Sequence, residues 1–208
     1  MTLALSLLAT VSALLTIRAE YRGPRLHVYV FKPLTVVLII LIALQAKHEA
    51  AASYGWLVVL GLVCSLIGDV FLMLPRERFL AGLLSFLFAH LFYTAAFTRD
   101  GLHARWWAAA VFTVYGVWML MLLWPGLGKL KAPVVVYVTI ILFMGLQASG
   151  RWLDVRGWGS AAACAGALLF VASDSALAWD RFRREFGAAQ AVILSTYFAA
   201  QCLIALSV

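Results

Sequence analysis

Charge is scarce in this chain. Only 12% of its 208 residues are Asp, Glu, Lys or Arg, against about 25% in an ordinary soluble domain. With 65% of the residues hydrophobic, that excludes a soluble globular protein. The three cysteines, Cys64, Cys164 and Cys202, sit in apolar stretches without the spacing of a disulfide framework or metal motif. They read as small packing residues and say nothing about redox compartment. A Gly-rich phosphate loop, a serine nucleophile elbow and a His-Glu metal helix are all missing. The net charge of +7 suggests nucleic acid, but the basic residues are scattered over short loops. Arginines in such loops ordinarily meet anionic headgroups, so no nucleic-acid partner is expected.

What the chain does have is apolar runs, many of roughly 17 to 22 residues, enough to cross a hydrocarbon core as helices. Eight spans are predicted: Thr2–Ile17, Pro33–Ala46, Tyr54–Leu74, Phe79–Thr98, Trp106–Trp124, Pro133–Ala148, Trp158–Trp179 and Gly187–Ser207. Trp56, Trp106, Trp107, Trp124, Trp152, Trp158 and Trp179 lie near their ends, as interface aromatics do. The first span lacks the basic leading segment of a secretory signal, so it is kept as a helix. The fold class is therefore all-α, an integral membrane protein whose residues 1–208 form one transmembrane domain. The loops after spans one, three, five and seven hold eleven Lys and Arg, and the others five. The positive-inside tendency then puts those loops in the cytoplasm and both termini outside. A multi-pass protein of the bacterial inner (cell) membrane is expected.

The chain also looks duplicated. Lys32-Pro33 opens a span closing in Leu44-Gln45-Ala46, and Lys131-Ala132-Pro133 opens one closing in Leu146-Gln147-Ala148. The next span of each half carries Cys, Asp and Arg in order: Cys64, Asp69, Arg76 against Cys164, Asp174, Arg181. A parallel 4+4 repeat follows, with halves 1–100 and 101–208 related by a pseudo-two-fold along the membrane normal.

Asp69 and Asp174 are the only acidic residues within these apolar runs. An ionisable group there is costly and marks a functional pathway by default. Each precedes its span end by about five residues, or about 7 Å at a helical rise, so the two should share one depth and one pocket. Two neighbouring carboxyls out of water titrate as a coupled unit, one protonated and one ionised. That supplies an acid and a base; two structural hydrogen-bonding aspartates are the bland alternative.

Other candidates surround them. His90 is the histidine well inside a span, with Tyr93 and Thr94 on its helical face. His27, His48 and His103 are assigned to loops. Tyr197 and Gln201 occupy the matching region of the second half, and Ser173 precedes Asp174. His90 fits either a packed core residue or a site residue. Zinc on Asp69, Asp174 and His90 is thinly supported by one histidine, since catalytic zinc usually takes three protein ligands. Lys32, at the mouth of its span, could snorkel, hold a phosphate or pair with Asp69. Arg76, Arg78, Arg181, Arg183 and Arg184 read as topology determinants first and phosphate contacts second.

The ordered set Lys32-Pro33-Leu34, Gly68-Asp69-Val70-Phe71-Leu72, Gly82 with Phe86, Ala89-His90 with Tyr93, Phe170, Ser173-Asp174, Leu177, Arg181-Phe182, Tyr197 and Ala200-Gln201 resembles the YhhN family of membrane lysoplasmalogenases. The pieces span nearly the whole chain. Ala132 interrupts the second Lys-Pro element, so no role is carried to Lys131. The resemblance implies cleavage of the vinyl-ether bond of a lysoplasmalogen to a fatty aldehyde and glycerophosphoethanolamine or glycerophosphocholine. It implies a lysophospholipid partner and no cofactor or metal. Asp69 and Asp174 would be catalytic, with Lys32, His90, Tyr93, Ser173, Arg181, Tyr197 and Gln201 supporting them or binding substrate. Competing expectations are a proton-coupled carrier of small solutes or lipids, a lipid sensor and a metal-dependent lipid hydrolase.

Overall fold

The computed structural model describes residues 1–45, 52–74 and 78–208. Among them every regular element is helical: α1 (Thr2–Arg22), α2 (Arg25–Gln45), α3 (Ala52–Met73), α4 (Phe79–Phe97), α5 (Trp106–Leu123), α6 (Lys131–Val155), α7 (Trp158–Phe182) and α8 (Ala189–Leu206). Two short 3₁₀ turns, Trp124–Gly126 and Gly128–Leu130, join α5 to α6. All eight helices are long and apolar enough to cross a membrane. In hydrocarbon only a helix or a closed barrel satisfies its own backbone, which is why apolar runs of this length fold this way. The chain is an integral membrane protein.

The boundaries depart from expectation where helices outrun the apolar windows. α2 starts eight residues before Pro33 and carries that proline inside it. Pro33 forfeits one backbone hydrogen bond, a loss that membrane helices tolerate when neighbours re-satisfy the carbonyl. Lys32 is therefore within the helix, not at its mouth, and His27 is helical too. α6 continues through Arg151 and Asp154 to Val155, ending where Arg156 adopts a left-handed φ of 50°. α7 continues through Arg181 to Phe182. Ala46, His48 and Arg76 lie outside the described residues.

Helices adjacent in sequence form close pairs, α1 with α2, α3 with α4 and α7 with α8. The α3–α4 seam depends on missing side chains. A Cβ on Gly61 would fall 2.3 Å from the Tyr93 ring, and one on Gly68 would fall 2.7 Å from Phe86. Small residues let membrane helices approach closely enough for dispersion to hold them. Shifting by four helices carries the α2–α3, α3–α4 and α4–α6 packings onto α6–α7, α7–α8 and α8–α2. That pairing supports the 4+4 repeat as a proposal, and α1 and α5 break it. α1 packs on both α2 and α8, whereas α5 leans on α6, touches α7 lightly and is not packed along α4.

Candidate active site

The ends of α1, α3 and α7, the starts of α2, α4 and α8 and the α5–α6 turn surround a cavity of about 990 Å³. Glu20, Arg25, Asp180, Arg181, Glu185 and Gln190 line its mouth. These belong to the basic end of the bundle, where the loops expected to be cytoplasmic gather. One to two helical turns deeper, Lys32, Asp69, Asp174 and Tyr197 share the inner wall.

Asp69 is 2% exposed and fully engaged. Lys32 Nζ lies 3.1 Å from Oδ1, and the Tyr197 hydroxyl donates to Oδ2 at 2.6 Å. Of the three roles open to Lys32, the geometry takes the Asp69 pair. Asp174 is only partly buried. Its Oδ2 accepts from the Tyr137 hydroxyl, and no described cation pairs with it. Both carboxyls line the same cavity. Equal distance from the helix ends does not hold, because Asp69 precedes Met73 by four residues and Asp174 precedes Phe182 by eight. They meet because α7 runs on past the cavity mouth.

Beneath the carboxyls lies an aromatic floor. Phe170 packs edge-on against Phe86 (centroids 6.3 Å apart), Tyr197 (5.5 Å) and His90 (4.6 Å). Of these rings, Phe170 and Phe86 fill the depth without adding a polar group that would need a partner. Tyr93 donates to Gln201 Oε1 at 2.7 Å, one helical turn from Tyr197. Both are buried behind the cavity wall and not on it. His90 is fully buried beside Phe170 and Tyr137 (5.2 Å), and neither ring nitrogen has a hydrogen-bond partner. It is a core residue behind Tyr137. Among the described residues no three His, Cys, Asp or Glu side chains gather as a metal site, so the Asp69–Asp174–His90 zinc arrangement does not form. Ser173 lines the cavity, but its hydroxyl donates to the Ile193 carbonyl at 2.9 Å. It ties α7 to α8. Arg181 stacks on Phe79, 3.9 Å from the ring centroid, at the rim.

Sequence reasoning missed Tyr137. The available signal was a phenol in the middle of an apolar span, since a buried Tyr hydroxyl normally finds a partner. It also missed Arg25, Tyr29 and the acidic rim, because loop composition does not say which loops converge.

The structure is that of an all-helical membrane protein with two differently partnered carboxyls lining one cavity. The chain belongs to the YhhN family, whose sequence model matches residues 27–208. The Uncharacterized membrane protein YhhN of Escherichia coli O6:H1 is 34% identical over 194 residues, covering 93% of this chain and 92% of that protein. Lysoplasmalogenase TMEM86A of Bos taurus is 40% identical over 153 residues, 71% of this chain and 62% of the relative. Lysoplasmalogenase TMEM86B of Mus musculus is 35% identical over 171 residues, 82% and 71%. No solved structure matches the chain.

Proposed function

We propose that this protein is a lysoplasmalogenase-like membrane hydrolase that cleaves the vinyl ether of a lysoplasmalogen by paired-carboxylate acid–base catalysis. The observation that carries it is the unequal partnering of Asp69 and Asp174 on one cavity wall. The names of the relatives supply the substrate class.

The partners assign the roles. A buried carboxylate persists when paired and hydrogen-bonded, and an unpaired one takes up a proton instead. Asp69, beside Lys32 and Tyr197, is the ionised member. Asp174, with only the Tyr137 phenol among the described residues, is the neutral acid. Vinyl ethers hydrolyse once the β-carbon is protonated, because the ether oxygen then stabilises the adjacent cation. Asp174 delivers that proton, and the C=C electron pair forms the new C–H bond. Asp69 stabilises the oxocarbenium ion and takes a proton from the water that adds to it, a division of labour also used by glycosidase carboxyl pairs. The hemiacetal then breaks its bond to the glycerol oxygen, which takes the proton from Asp69 while Asp174 takes the hemiacetal hydroxyl proton; aldehyde and glycerophospho-base leave and both carboxyls return to their starting states. The wide polar cavity suits the headgroup, with Arg25 at its mouth to meet the phosphate. By the positive-inside tendency that mouth faces the cytoplasm.

Incubating purified protein with a lysoplasmalogen and its saturated ether analogue tests the chemistry. Stoichiometric aldehyde from the vinyl ether alone is expected. No aldehyde, with either lipid still bound, would leave a carrier or sensor in place of the hydrolase.

A further inference from the structure

An apolar slot leads off the cavity at Asp174. It lies between α4, α5, α6 and α7 and encloses about 70 Å³. Leu83, Met119, Leu123, Val134, Val138 and Leu142 form its walls. The hydroxyls on it are already engaged: Tyr115 with Ser175 at 2.7 Å and Tyr137 with Asp174. Asp174, Leu177 and Arg181 border both compartments. From Val134 to Leu142 the slot follows α6 for about 12 Å. It exists because α5 stands off from α4, where α1 by contrast closes on α8.

We propose that this slot holds the single hydrocarbon chain of the lysolipid, which enters from the bilayer along the seam between α4 and α5. A polar chamber and an apolar slot meeting at one carboxyl match an amphiphile whose polar and apolar parts meet at the reacting bond. In a lysoplasmalogen that junction is the vinyl ether. With the headgroup in the cavity and the chain in the slot, the junction falls beside Asp174. The slot is narrow beside the cavity, which suits one chain and not the two of a diacyl lipid. Burying methylenes there, in walls without unpaired polar groups, favours longer chains. The position of the reacting bond rests on the hydrolase proposal; the existence of a chain subsite does not.

Met119→Trp and Leu123→Phe narrow the slot from α5, which carries neither carboxyl nor a partner of one. Aldehyde release is measured with butenyl and decenyl lysoplasmalogens, the shorter chain ending within the slot and the longer one spanning its length of about 12 Å. In both variants kcat/KM for the long chain should fall by about tenfold or more relative to the short one, the range expected when a pocket loses room for methylenes. Retained short-chain turnover certifies the fold. Binding of saturated 1-O-alkyl lysolipids of the same two lengths is measured in parallel. The wild type should prefer the longer chain, and the variants should lose that preference. If neither lipid releases aldehyde, the hydrolase proposal fails and the binding preference alone decides the slot. Unchanged chain-length profiles in both variants, with the wild-type chemistry intact, would overturn the slot.

Discussion

Asp69 on α3 and Asp174 on α7 are the same residue type, yet they live in different surroundings. Asp69 is closed in, with a lysine on one oxygen and a tyrosine on the other. Asp174 has one phenol and faces both the polar cavity and the apolar slot. The difference comes from the helices that pack beside them. α2 brings Lys32 to α3, while the corresponding helix α6 brings Tyr137 to α7. The two carboxyls thus have unlike partners, a lysine and a tyrosine for one and a tyrosine for the other. On the proposed mechanism that asymmetry decides which carboxyl holds the proton that a coupled pair would otherwise share.

The largest effect should come from removing either carboxyl. Asp69→Asn and Asp174→Asn keep the volume but move no proton, so each should lower aldehyde release by about 10²–10⁴-fold. Circular dichroism and gel filtration in detergent should still report folded protein. One well-folded variant with near-normal turnover would end the two-carboxyl scheme.

Next comes Lys32. Stripping the cation from a buried pair leaves a charge without a partner and costs about 3–5 kcal/mol, so Lys32→Met should lower the thermal midpoint markedly. Adding Asp69→Asn to it should recover most of that loss. If the double variant is no more stable than the single, Asp69 is not the ionised member. In kinetics Lys32→Met should lower kcat and kcat/KM together, because the lysine sets the state of a catalytic group. A rise in KM alone would return it to phosphate binding.

Smaller effects separate the two phenols. Hydrogen bonds to a charged group contribute about 1.5–3 kcal/mol and neutral ones about 0.5–1.5. Tyr197→Phe should therefore reduce stability more than Tyr137→Phe, and equilibrium unfolding of the two in the same detergent compares them directly. The reverse order would exchange the roles of the aspartates. Smallest of all, Ser173→Ala removes only the tie from α7 to the Ile193 carbonyl. About 1 kcal/mol of stability should go, with kcat within about twofold by assay, since its hydroxyl is already engaged.

The spans were legible because their signal is local: twenty apolar residues in a row have one way to satisfy their backbone in lipid. Their ends were less so. Arg25–Phe31 continues α2 past a proline that would stop a helix in water, and Arg151 and Asp154 prolong α6 beyond its apolar window. The two aspartates stood out because charge is so costly at that depth. His90 and Tyr93 stood out by type and helical phase, which cannot separate a cavity wall from the layer behind it.

By itself, then, the sequence determined that this is a membrane protein of eight apolar spans and singled out two acidic side chains as candidates, because apolar length and charge within an apolar run are properties of single segments. Only the tertiary structure decided that Lys32 pairs with Asp69, that Tyr137 holds Asp174, and that α5 stands away from α4 to leave a slot. Those facts join residues as much as 128 positions apart, as Tyr197 and Asp69 are. They depend on how helices rotate and lean against one another, and glycines such as Gly61 and Gly68 set that closeness through the side chains they lack.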